Sequence, residues 1–223
     1  MFFKLYIFFQ KLKWNILGWL DPYYYVWTNK EKDNEELFRK SGQEHFENFI
    51  LNDRLLMAKN LFNQSIVLEI GSGVGRITEY LADYFKKVIA TDISSAMLNL
   101  AKKRLTRFDN ISYYVTNGVN LPIKDNSVDF VFSYIVFQHF PTRRLVKENL
   151  REIFRVLKPG GSVKIQFRGR PAFGGKLRYF KWYYGVDFNA EKIRSLLERN
   201  SFTVVSIKGE NTRDLWAIFI KPC

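Results

Sequence analysis

Cysteine is almost absent: the single Cys223 cannot close an internal disulfide or build a cysteine metal cluster, which suits a reducing, cytoplasmic setting. Histidine is nearly as scarce. His45 and His139 alone leave a zinc site short of ligands, so no metal is expected. No uncharged apolar run reaches the roughly 20 residues that a bilayer span requires, because Lys4, Lys11 and Lys13 interrupt the most apolar stretch. No small-residue cleavage site follows that stretch, so it does not read as a secretory signal. No internal repeat is present. What remains is a chain of 223 residues, 47% of them hydrophobic, long enough for one α/β domain with a full core and too short for two ordinary enzyme domains.

Acid is scarce in one region. Lys and Arg outnumber Asp and Glu by 18 to 7 over residues 141–223, against 8 to 7 over residues 61–140 and 9 to 8 over residues 1–60. The net charge of +13 therefore sits mostly in the last third. Such a field attracts anionic partners such as phosphorylated or carboxylated substrates, nucleic acid or anionic lipid; a solvated basic surface has the same composition.

The chain is organised around Ile66 to Thr78, IVLEIGSGVGRIT. The mostly apolar run Ile66 to Ile70 suits a strand buried on both faces of a parallel sheet. Gly71, Gly73 and Gly75 follow at alternate positions, where the missing Cβ lets the backbone turn sharply and a ligand approach its amides. Arg76 to Phe85 then reads as a helix whose first turn carries unpaired N–H groups. A second apolar run, Val88 to Ala90, ends at Thr91-Asp92 and places a carboxylate at the tip of the neighbouring strand, where it can accept from both hydroxyls of a ribose. These parts describe a nucleoside-binding half of a doubly wound sheet. The dinucleotide fingerprint G-x-G-x-x-G does not fit, because the third glycine comes one residue early and Arg76 stands in its place.

The pattern formed by Glu69, Gly71, Gly73 and Gly75 instead resembles motif I of the class I S-adenosylmethionine-dependent methyltransferases, and the likeness extends over about residues 41–222. Val115 to Phe140 is similar to that family's fourth-strand region, and LKPGGSVKI, Leu157 to Ile165, to its turn into the fifth strand. The resemblance implies a Rossmann-like seven-stranded sheet, mostly parallel with an antiparallel last strand, and S-adenosylmethionine as cofactor. It implies that Glu69 faces the ammonium of the cofactor's amino-acid tail, which folds across the glycine loop. Asn117 matches a position that is usually an aspartate touching the adenine amine; its side-chain carbonyl can still accept from that amine, without charge assistance. Ile93, Gly118 and Tyr134 complete the residues expected beside the cofactor.

Along the chain, residues 1–40 read as an amphipathic and aromatic extension and residues 41–223 as the methyltransferase domain. In residues 1–20, which contain no acid, Lys4, Lys11, Asn15 and Gly18 share one narrow helical face opposite Leu5, Phe8, Phe9, Leu12, Ile16 and Trp19. Two readings stay open there, a peripheral membrane contact and a cap over the active site. Asp21-Pro22 breaks that helix, and the tyrosines that follow lead into a charged linker. Glu35 to Leu61 reads as two helices divided near Ser41-Gly42, with Glu44 and His45 facing substrate if the pair forms a lid. Ser94 is expected to cap a helix from Ser95 to Arg107. Strands are expected at Ile111 to Val115, Val128 to Tyr134 and Ser162 to Phe167, helices at Arg143 to Leu157, closed by Lys158-Pro159-Gly160-Gly161, and at Ala190 to Asn200, and a terminal strand pair at Phe202 to Lys208 and Leu215 to Lys221. Residues 168–189, rich in glycine, aromatics and Lys/Arg, read as a substrate loop or a long surface insertion.

Methyl transfer needs alignment above all, and a base when the acceptor is a poorly acidic hydroxyl or a protonated amine. His139, five residues past Tyr134, is the candidate base, with a structural histidine as the competing reading. Ser133-Tyr134-Ile135-Val136 stands where enzymes acting on exocyclic amines or glutamine carry N/D-P-P-Y/F, and no core cysteine is available for cytosine C5 chemistry. An O- or N-methyltransferase acting on a small-molecule, sugar or lipid-linked acceptor, anionic ones included, is the leading expectation. An RNA methyltransferase, resting on the basic last third alone, and a non-catalytic methyltransferase-like binding module are the alternatives.

Overall fold

The computed structural model describes residues 2–27, 34–169 and 185–223, with side chains from residue 7 onward. Residues 170–184, most of the expected substrate loop, lie outside the described residues. The chain forms two compact units, residues 1–118 and 119–223. The first holds α1 (Phe2–Leu20), α2 (Pro22–Trp27), α3 (Glu35–Phe46), a π-helical turn (Glu47–Leu51), α4 (Arg54–Met57), β1 (Ile66–Ile70), α5 (Thr78–Tyr84), β2 (Lys87–Asp92), α6 (Ser95–Arg104) and β3 (Ile111–Val115). The second holds β4 (Val128–Ser133), a 3-10 turn (Phe137–His139), α7 (Arg143–Val156), β5 (Leu157–Arg168), α8 (Ala190–Glu198), β6 (Thr203–Lys208) and β7 (Asp214–Ile220).

The seven strands form one sheet in the order β3-β2-β1-β4-β5-β7-β6. β1 pairs in parallel with β2, β2 with β3, and β4 with β5, whereas β7 runs antiparallel to both β5 and β6. This is the expected Rossmann-like arrangement. Val67, Leu68 and Ile70 of β1 are buried, as a strand covered on both faces requires, and Ile66 at its start is half-buried.

Several element ends differ from the sequence reading. α5 begins at Thr78 rather than Arg76, because the glycine turn continues through Ile77. α6 stops at Arg104. Lys158-Pro159-Gly160-Gly161 does not close a helix; it lies within β5, which bulges there so that Val128 pairs with Leu157 and Phe130 with Ser162. The tyrosines after Asp21 form α2, a helix not expected from the sequence, with Pro22 at its first position and the Asp21 carboxylate accepting from the Tyr24 amide at 3.1 Å.

α3 is the main correction. It runs unbroken through Ser41-Gly42, where glycine signalled a division. The glycine is there for approach: a Cβ on Gly42 would lie 2.4 Å from the carbonyl oxygen of Arg76 and 3.1 Å from the Tyr80 ring. Arg76, itself buried, reaches back with Nη1 to the Ser41 carbonyl (3.2 Å), the Ser41 hydroxyl (3.3 Å) and His45 Nδ1 (2.7 Å). α3 is thus clamped against the segment that leaves the glycine loop.

The clamp generates a stability prediction. Gly42→Ala should raise local helix propensity by about 1 kcal/mol yet lower net stability by about 1–3 kcal/mol, because backbone must move away from backbone. Urea denaturation measures it, and an unchanged midpoint would mean that α3 does not press on Arg76.

Candidate functional site

β1 ends in a turn that is left-handed at every glycine: φ is +76° at Gly71, +56° at Gly73 and +82° at Gly75. Alternate positive φ angles are what the three glycines allow and other residues resist. The Thr91 carbonyl accepts from the Gly71 amide (2.7 Å) and the Ser72 amide (3.0 Å), so the loop is stitched to the end of β2. Gly75 has a second reason to be small, since a Cβ there would lie 2.7 Å from Leu105. Ser72 Oγ is buried without a hydrogen-bond partner.

Two carboxylates flank the loop and differ sharply. Asp92, at the tip of β2, accepts from the Gly73 amide on Oδ2 (2.9 Å) and from the Ser94 amide on Oδ1 (2.8 Å). Burial raises its pKa, and the amides of Ser94, Gly73 and Ile93 pull it back. A carboxylate has about four acceptor positions, so Asp92 keeps acceptor capacity beyond these amides. Glu69 is buried and accepts from the Thr78 hydroxyl, tying β1 to the first turn of α5. Desolvation pushes its carboxyl up to about 7, with a further push from Asp92 and opposing pulls from Thr78 and Arg76.

The N-terminal helices cover this site with side chains that composition did not single out. Val26 of α2 would touch a Cβ on Gly73 at 3.0 Å, and Ile7 of α1 lies 3.6 Å from the corresponding point on Gly118, beside Ile93 at 3.0 Å. Asn15 Oδ1 accepts from the Ser94 hydroxyl (3.2 Å), the Ser95 hydroxyl (3.1 Å) and the Ala96 amide (3.3 Å), which docks α1 on the start of α6. Gly18 sits against Met97, Ala96 and Ser94. Tyr23, Tyr25, Val26 and Trp27 pack on a buried cluster of Phe38, Val74 and Met97. Arg104 closes the group, donating to the Val74 carbonyl at 2.8 Å, pairing with Glu35 at 2.8 Å and lying over the Phe38 ring.

The other expected residues fall as follows. Thr116 donates its amide to the Asp92 carbonyl (2.8 Å), which sets Asn117, exposed, and Gly118, at φ +85°, just beyond β3. His45 does not present an open imidazole to a ligand on its Nδ1 side. That nitrogen meets the Arg76 guanidinium, which only donates, the ring stacks on Phe49 at 5.3 Å, and burial followed by the Arg76 charge lowers its pKa to about 4. Glu44 is exposed.

In the second unit, β4 ends before Tyr134, whose ring stacks on Trp216 at 5.4 Å. Ile135 has φ +58°, a costly conformation for a β-branched residue, and its amide donates to Gln166 Oε1. His139 is buried, with Nε2 3.3 Å from the Gln138 side-chain nitrogen, so that Nε2 acts as the acceptor. Gln166 Nε2 lies within reach of Gln138 Oε1 (3.4 Å), the Phe167 carbonyl (2.9 Å) and Asp214 Oδ1 (3.1 Å). Gly185 packs so tightly that a Cβ would strike the Gln138 carbonyl, and Arg168 pairs with Asp187 at 3.8 Å. The sequence reading named His139 as a candidate base and did not name the glutamines, which carry no motif. Among the described residues no cluster of His, Cys, Asp or Glu is arranged to hold a metal ion.

Residues 68–165 match a family model described as a methyltransferase domain. Phosphoethanolamine N-methyltransferase 2 of Caenorhabditis elegans is 33% identical over 153 residues, covering 65% of this chain and 33% of the relative. Malonyl-[acyl-carrier protein] O-methyltransferase of Marinomonas sp. is 30% identical over 147 residues, covering 65% and 52%. The chain thus spans between a third and about half of these relatives. Phosphoethanolamine N-methyltransferase 1 of Haemonchus contortus, solved with phosphoethanolamine and S-adenosylhomocysteine, superposes with a TM-score of 0.70 at 20% identity, covering 97% of this chain and 49% of that one. A SAM dependent methyltransferase from Aquifex aeolicus gives a TM-score of 0.62 at 19% identity, covering 83% and 97%. Glycine turn, strand-end carboxylate and sheet order agree with these matches: residues 68–165 resemble a methyltransferase domain, and the sheet has the fold of the S-adenosylmethionine-dependent methyltransferases.

Proposed function

We propose that the chain transfers a methyl group from S-adenosylmethionine to an oxygen or nitrogen atom of a small-molecule, sugar or lipid-linked acceptor. The observation that carries the reading is the left-handed glycine turn held by Asp92, whose carboxylate keeps acceptor capacity for a ribose hydroxyl. The orphaned Ser72 hydroxyl and the glycine backbone suit a polar ligand laid across the loop. The cofactor, when bound, supplies an electrophilic methyl group on a sulfonium. Asp92 would hold the ribose, and Asn117 would accept from the adenine amine beside the Gly118 amide and the Ile93 side chain. Glu69, with one oxygen taken by Thr78, would offer the other to the ammonium of the amino-acid tail. Val26 and Ile7 would exclude water from above. The chain's own contribution is alignment, which can be worth about 7–11 kcal/mol.

His139 is the proposed base. It is buried, and to take a proton from a hydroxyl or ammonium its Nε2 would exchange the Gln138 amide for that group. An N-methyltransferase and an O-methyltransferase among the relatives support an acceptor atom of either kind, and phosphoethanolamine, named for one relative, is an anionic small molecule of the kind the basic last third would attract.

Three experiments test the reading. Asp92→Ala, checked for folding by its thermal melt, should weaken S-adenosylmethionine binding by about 1.5–3 kcal/mol in calorimetry; unchanged affinity removes the ribose assignment. With labelled methyl donor and a fractionated lysate, label should appear on oxygen or nitrogen of small or lipid-linked acceptors, and His139→Ala should cut its transfer about 10²–10⁴-fold with cofactor affinity intact. Label in RNA or on carbon overturns the acceptor reading, and an unchanged rate makes His139 structural. Glu69→Gln isolates the buried carboxyl. Because its folded pKa of about 7 exceeds the ordinary 4.5, the native state holds the extra proton between those values, and wild-type stability falls as pH rises through that window. The glutamine variant lacks that loss, so its stability relative to wild type should climb by up to about 3 kcal/mol from pH 4.5 to 7 and then level off. A difference that does not change with pH would mean that Glu69 ionises normally.

A further inference from the structure

α1 is amphipathic in the reverse sense. Its polar face is the one turned inward, where Asn15 holds the start of α6 and Gly18 lies flat on Met97. Six of its large apolar side chains point out: Phe8 is 59% exposed, Phe9 54%, Leu12 45%, Ile16 41%, Trp19 74% and Leu20 71%. At about 100° per residue these six fall within an arc of about 120°, in a ridge about 18 Å long. Lys13 borders one side of the arc and Lys11 the other, and both are half-buried. Burial lowers the Lys13 pKa to about 8, which leaves it cationic at neutral pH. No acid occurs in residues 1–20.

We propose that this outward face of α1 docks the protein onto an anionic lipid surface. Exposing six large apolar side chains in one patch has a cost in water that a covering surface removes. The charge pattern selects the cover: cations on both flanks and no anion match phosphate headgroups, while the Phe, Leu, Ile and Trp ridge matches the acyl boundary below them. The shape agrees, since a convex single-helix ridge sinks into a fluid interface without needing a complementary groove. α1 does not cross the bilayer, as no described helix is long and apolar enough to do so. The inference rests on α1 alone and is independent of the methyl-transfer chemistry.

The test is co-sedimentation of the full chain with mixed phosphatidylcholine–phosphatidylglycerol vesicles and with pure phosphatidylcholine vesicles, read without cofactor or turnover. Wild type should partition onto the mixed vesicles in preference to the neutral ones. Leu12→Asn with Trp19→Asn should reduce that partition at least about tenfold while the thermal melt is kept, both positions being exposed. Phe8→Asn is a second variant should the double one melt early. Lys11→Gln and Lys13→Gln should each lower binding to the anionic vesicles about fivefold. Equal sedimentation of wild type and the apolar variants overturns the proposal. So does a wild type that ignores vesicles and instead forms a concentration-dependent dimer, by ultracentrifugation, that the same substitutions abolish.

Discussion

The bond from the Gly73 amide to the Asp92 carboxylate is the constraint on which the first unit depends. It joins the tip of β2 to the middle of a loop that has no regular structure of its own, and the Thr91 carbonyl adds the amides of Gly71 and Ser72 on the same side. Backbone held in the left-handed region costs energy unless its surroundings fix it. Here the fixing comes from two directions. Inside, β2 supplies the acceptors; outside, Arg104 takes the Val74 carbonyl and Arg76 carries the exit of the loop to α3. A loop held this way has little conformational freedom left to lose.

The sheet was legible from the sequence because parallel strands announce themselves as short apolar runs, and Ile66 to Ile70 and Ile111 to Val115 were placed to the residue. The glycines and Asp92 were legible for a similar reason: few residue types tolerate those positions. What escaped has a common physical cause. Gly42 and Gly160 were read as breaks, whereas Gly42 serves close packing of α3 and Gly160 a bulge within β5. Glycine marks a backbone need, and spacing cannot tell a turn from a tight contact. Val26, Asn15 and Arg76 escaped because their importance comes from partners distant in sequence. The amphipathic pattern of α1 was read correctly, but periodicity carries no sign saying which face points in.

In the second unit the strained Ile135, the fixed Gln138 and the close approach of Gly185 meet around His139. Gln166 ties the group to the neighbouring strand β7 through Asp214. Amides suit this role, being donor and acceptor at once without the desolvation penalty of a charge.

Helix α1 has one face on the residues beside Gly118 and the other open, so an event at one face can reach the other. A ligand that tightens the inner contact steadies the outer ridge, and a surface that steadies the ridge tightens the inner contact. Thermodynamic reciprocity makes the two factors equal: however much a bound nucleoside raises the affinity of the ridge for its surface, that surface raises the affinity for the nucleoside by the same ratio. Truncating residues 1–20 would therefore remove both members of the pair at once, and only substitutions confined to one face can read them apart.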